Sequence, residues 1–170
     1  MMDFRFEKFV EHWCEIYSPM QHIPGDKSKN KRFFLTDTFM GLSDFMANIT
    51  VRNSPCVVME SGVEGNFIRG LDQPSHTIYF LVRSKDSQDG FEAREAKLEC
   101  KQHMQEFLAY MRYCQNRGDA ALQRISLDER IGYQTIGPLY NNWYGIYITL
   151  DDTQQYKLCI DESKYVKGGL

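Results

Sequence analysis

Nothing in the chain approaches the roughly 20 consecutive apolar residues that a bilayer-spanning helix needs. Its first residues, MMDFRFEKFVEH, carry acids and an amphipathic pattern where a signal peptide would have a basic start and then an apolar stretch. A soluble protein made in a cytoplasm is the expectation. Charge of one sign is lacking too. The 20 Lys and Arg residues against 23 Asp and Glu leave a net −3, which argues against wholesale attraction to nucleic acid or an anionic membrane, since either selects a basic surface. No Gly-rich phosphate loop, G-x-S-x-G or H-E-x-x-H occurs. The five cysteines, Cys14, Cys56, Cys100, Cys114 and Cys159, form no C-x-x-C pair. Four of them sit in apolar patterns, where a free thiol acts as a small hydrophobe, and this points to a reducing compartment. No repeat, low-complexity segment or linker divides the 170 residues. One domain is expected, with residues 1–53 as a helical N-terminal part, 55–160 as a core of sheet and helix, and 161–170 as a frayed tail.

What the chain does have is a hydrophobic fraction of 42%, enough for a folded core, and one dominant segment, Phe91 to Asn116. There Ala93, Ala96, Cys100, Met104, Phe107, Met111 and Cys114 recur every three or four residues, opposite Arg94, Lys97, Lys101, Gln105 and Arg112. A half-apolar helix of this kind must lie against something, and its flanks read as strands. A shorter amphipathic helix is predicted over Phe4–Tyr17 with Asp3 as N-cap, and another over about Thr36–Ile49. Cys56–Glu60 reads as a strand buried on both faces. Strands are also predicted at Thr77–Arg83, Leu122–Leu127, Ile131–Ile136, Trp143–Leu150 and Tyr156–Ile160. Gln21–Arg32 reads as a loop, and Ser61–Pro74 chiefly as a connection with a weak strand around Asn66–Arg69. The fold class expected is α+β, a mostly antiparallel sheet on one long helix, with two short N-terminal helices.

Few residues point to chemistry. Cys100 and His103, one helical turn apart, are half of a zinc site by spacing, but no matching pair follows, and a buried thiol beside a partly covered imidazole is the simpler reading. Glu60 and Glu64 flank a glycine turn, and Asp151 and Asp152 follow a strand; such pairs bind cations or serve as acid and base, although acids in turns are more often solvated or capping. Arg117-Gly118-Asp119 reads as a helix C-cap and not as an adhesion motif. KSKNKRFF, with Lys27, Lys29, Lys31 and Arg32 beside two aromatic rings, is a combination that grips phosphates and stacks bases, and equally that of a charged surface loop. Around Gly137–Gly145 the aromatic density is high. Either its rings close one end of the core, or Tyr140, Trp143 and Tyr144 are partly exposed and anchor another subunit.

The order of these elements resembles the tail-terminator or tail-completion proteins of tailed bacteriophages. The resemblance runs over Pro55 to Leu150, through PCVVMESG, HTIYFLVRS, the helix from Phe91 and GPLYNNWYGIYITLDD, which look like phage or prophage structural proteins of Bacteroidetes. The N-terminal part is longer than a minimal terminator needs and suits a head–tail neck ring as well. The resemblance implies a non-enzymatic virion protein without cofactor or metal. It would assemble into a homo-oligomeric ring by heterologous contacts, dock on tail-tube or neck proteins, and reside in the host cytoplasm and then the virion. A nucleic-acid-binding module using residues 27–34 is the alternative, and a small enzyme or metal-binding protein a second one.

Overall fold

The computed structural model describes residues 5–25, 30–36, 42, 46, 49–68, 71–85, 89–127, 130–152 and 156–157. Helix α1 is Arg5–Ile16 and helix α2 is Gly90–Asn116; the strands are β1 Phe33–Thr36, β2 Cys56–Ile68, β3 Leu71–Arg83, β4 Tyr133–Leu139, β5 Trp143–Asp151 and β6 Tyr156–Lys157. They form one sheet in the order β1-β2-β3-β5-β4, with β6 pairing the start of β3 beyond the end of β5. The α+β class is as read from the sequence, but the sheet is mixed: β1 runs parallel to β2, and the other pairs are antiparallel.

The long helix begins and ends where its sequence says. The Asp89 carboxylate accepts the Phe91 N–H at 2.8 Å as N-cap. At the other end Gly118 takes φ +80°, its N–H donates to the Gln115 carbonyl, and the Asp119 N–H donates to that of Cys114. That pattern is a Schellman cap, and only glycine adopts this φ without strain. The RGD letters are thus spent locally, with Arg117 over the Tyr113 ring and Asp119 capping the next turn.

Both helices cover one face of the sheet. From α2 come Ala96, Cys100, Met104, Phe107, Met111 and Cys114; from α1 come Phe6, Phe9, Val10, Trp13 and Cys14; the strands add Val57, Met59, Ile78, Phe80, Tyr144, Ile146 and Ile148. Strand alternation sends Cys56, Val58, Tyr79, Leu81 and Trp143 to the other face, where Phe34, Leu42 and Met46 join them. Cys56–Met59 is buried on both faces, as expected. Of the second predicted helix Thr36 belongs to β1 and Ile49 is not helical; only Leu42 and Met46 are described between positions 37 and 48, both helical and buried, so two helices are delimited among the described residues where three were expected. The Asp3 cap, residues 158–160 of the last predicted strand and the predicted frayed tail lie outside the described residues.

Three expectations are corrected. Ser61–Pro74 is not chiefly a connection: the weak strand read around Asn66–Arg69 is, to Ile68, the end of β2, and β2 and β3 continue as a ribbon of two 13-residue strands, each about 40 Å long at 3.3 Å per residue. A register shift between Ser61 and Gly65 absorbs the turn-like residues, and Gly65 stands where a Cβ would collide with the Gln73 carbonyl oxygen. Leu122–Leu127 is no strand. Residues Ala120–Leu122 form a short 3-10 turn, and Ile125 makes one isolated bridge to Asp152. The carbonyls a ladder would use are taken by side chains of α2: Arg112 donates to Leu127 at 2.8 Å and Gln115 to Ile125 at 3.1 Å. Third, the N-terminal part is not wholly helical, since β1 lies in the sheet.

Phe107 meets Phe9, Trp13 and Phe80, from α1 and β3, at ring-centroid distances of 6.5, 5.0 and 5.6 Å. Phe107→Ala is expected to lower the free energy of unfolding by about 3–5 kcal/mol in urea titration. Gly145→Ala, whose Cβ would come within 2.5 Å of Leu81 Cδ2 and 3.1 Å of the Phe80 carbonyl oxygen, is expected to cost about 1–3 kcal/mol.

Candidate interaction surface

The aromatic corner divides between core and surface. Trp143 is 0% and Tyr144 3% exposed, on opposite faces of β5, whereas Tyr140 is 59% exposed in the short turn between β4 and β5. Trp143 and Tyr144 therefore close the core, and only Tyr140 of the three is free to anchor a partner. Strand periodicity is the reason: two neighbouring residues cannot face the same side.

Beside Tyr140 lies β4, an edge of the sheet. Tyr133, Gln134 and Thr135 are exposed, and β4 pairs only with β5 among the described strands. No charged residue occurs from Ile131 to Leu150. Charges are a common guard against edge-to-edge pairing, and here the edge strand has none of its own, although Lys101 of α2 reaches over it with Nζ 5.1 Å from the Tyr133 ring centre. At the far edge β1, Phe-Phe-Leu-Thr, is likewise uncharged, and Leu35 is exposed. That uncharged run was readable in the sequence; its place at an edge was not.

Of the two readings of the basic and aromatic run, the one with rings open to stacking is not supported by Phe33 and Phe34. Phe33 and Phe34 belong to β1 and are buried on opposite faces, so neither ring is available to a base. Arg32 Nη1 donates to the Ser54 and Pro55 carbonyls, and the Asn53 side-chain amide donates to the Lys31 carbonyl at 2.9 Å. Together these bonds lock the entry to β1 against the turn before β2. Lys31 Nζ lies 5.1 Å from the Phe34 ring centre, and Lys27 and Lys29 lie outside the described residues.

The groups proposed for chemistry are not brought together. The Cys100 thiol donates to the Tyr144 carbonyl at 3.4 Å, facing the sheet. His103 faces α1, with the Tyr17 hydroxyl 3.0 Å from Nδ1 and the Glu99 carboxylate 3.5 Å from Nε2. The carboxylate favours the proton on Nε2, which leaves Nδ1 to accept from Tyr17. Burial pushes the His103 pKa down against the opposing pull of Glu99, and burial, with Glu106 and Glu99, pushes Tyr17 up. Nothing in the sequence marked this Tyr17–His103–Glu99 cluster, which ties the end of α1 to α2. His22 accepts the Arg32 backbone N–H on Nδ1 at 2.9 Å and donates from Nε2 to Glu11 at 3.3 Å, so both nitrogens are engaged. Glu60 accepts from the Tyr79 hydroxyl at 3.1 Å, and Asp152 lies 3.9 Å from His76. The Glu64 side chain lies outside the described residues. Among the described residues no three His, Cys, Asp or Glu side chains converge to hold a metal, and no helix is long and apolar enough to cross a membrane.

No family model, curated protein or solved structure matches the chain.

Burial holds the thiols protonated: Cys14 and Cys56 are pushed well above the usual range and Cys100 up to about 12. Treatment of the native protein with iodoacetamide at pH 8 is expected to leave Cys14, Cys56, Cys100 and Cys114 unlabelled by peptide mapping, and the same treatment in urea to label all four.

Proposed function

We propose that the chain is a non-enzymatic assembly subunit that self-associates through the edges of its sheet, in a ring of the phage tail-terminator or head–tail neck type. The uncharged, exposed edge β4 carries this reading, with Tyr140 beside it as the anchoring ring. Pro138 and the register shift after Ile136 close the far end of β4 to pairing, but an edge without charge still presents a row of backbone donors and acceptors over Tyr133–Ile136 to any strand of matching length. The unbroken register of β4 covers Tyr133–Ile136, four residues, and β1 is four residues long. Within the sheet β1 and β4 run in opposite directions. Displacing one copy sideways along the sheet therefore sets its β1 antiparallel to the β4 of its neighbour. That contact is heterologous, and rotation between neighbours decides whether it closes into a ring. The tail-terminator setting and docking on tube or neck proteins follow from the resemblance alone.

Light scattering during size-exclusion chromatography tests the edge. The wild type is expected to elute as a species of several subunits, and the double variant Tyr133→Lys, Thr135→Lys as a monomer with an unchanged far-ultraviolet circular dichroism spectrum. A wild type that stays monomeric at high concentration, alone and with tail-tube or neck proteins encoded beside it, would sink the proposal.

A further inference from the structure

A second surface feature lies on the helical layer, away from both sheet edges. The two helices run antiparallel, Tyr17 meeting His103 and Phe9 meeting Tyr110, and a cleft of about 350 Å³ opens between them. Four of its lining residues are aromatic, Trp13, Tyr17, Tyr110 and Tyr113. Tyr17 forms one wall, backed by the buried Trp13, on which it stacks with centroids 4.5 Å apart and planes 16° from parallel. Ala109 lies between Glu106 and Tyr113 on the α2 side, and its short side chain leaves the space open. The one charged group in the lining is Glu106, which has no ion-pair partner among the described residues.

We propose that this cleft receives the ammonium end of a lysine side chain carried by a partner protein. The faces of aromatic rings carry negative potential and attract an organic cation, the more so where water is displaced. Glu106 supplies the matching charge, and Tyr113 already shows the preference, with Arg117 over its ring at 5.2 Å. The rim is apolar and exposed, Ile16 at 53% and Tyr113 at 56%. A free small cation would leave that rim wet, whereas the residues flanking a lysine would cover it. The proposal stands whether or not β4 pairs with another copy.

Trp13 fluorescence reports the site, because Trp13 stacks on Tyr17 in its lining whereas the other tryptophan, Trp143, lies on the opposite face of the sheet. The full chain is titrated with Nα-acetyl-lysine methylamide, with its norleucine counterpart of similar shape and no charge, and with choline. The lysine probe is expected to give saturable quenching, and norleucine and choline to bind about tenfold more weakly or less. Glu106→Gln should weaken the lysine probe about tenfold without affecting norleucine, and Ala109→Leu should abolish binding while the thermal unfolding midpoint holds. Equal binding of norleucine would reduce the cleft to an apolar groove, and preferential binding of choline would assign it to a free quaternary ammonium. Either outcome, or no response to any probe, overturns the proposal.

Discussion

Three rings from three elements hold the layers together. Trp13 of α1 meets Phe107 of α2 edge-on at 5.0 Å and Phe80 of β3 at 6.2 Å, and Phe80 and Phe107 are themselves 5.6 Å apart. Neither helix could keep its apolar stripe dry alone. At this junction each helix completes the other's burial against the strand that lies at the centre of the sheet. The Tyr17–His103 bond at one end and the Phe9–Tyr110 contact at the other fix the angle at which the helices meet, and that angle leaves the cleft between them.

Around this junction the titratable groups are spent on structure. The His22 nitrogens both engage neighbours, the Cys100 thiol is directed at a main-chain carbonyl, and Arg32 clamps the turn ahead of β2. What faces outward unspent is of another kind: a strand edge without charge, an exposed tyrosine beside it, and an aromatic cleft with a carboxylate. These are the features on which the proposed role in assembly rests.

Helices α1 and α2 and the buried strands were legible in the sequence because each carries its own periodicity. Six of the seven residues marked for the inner stripe of α2 are buried, Ala93 being half-exposed, and His103 joins them. The ribbon was not legible, because Gly62, Gly65, Asn66, Asp72 and Pro74 are turn residues by composition, and only the cross-strand pairing shows that a register shift accommodates them. Leu122–Leu127 failed for the opposite reason: its apolar residues are buried, but its carbonyls are satisfied by Arg112 and Gln115 from a helix earlier in the chain. Of the aromatic corner, the density of rings was legible and their division was not. Phe33 and Phe34, read as companions of the basic residues, turned out to be core because a parallel pairing with β2 draws them into the sheet. Non-local pairing leaves no local trace.

The ribbon of β2 and β3 has a mechanical consequence. Its hydrogen bonds lie crosswise to both strands, and β3 also carries β5 and β6 along its other side. A pull applied along the strand axis would load the whole ladder in shear, whereas a pull across it would open one bond after another like a zipper. The ribbon thus resists a pull along its strands more than one across them.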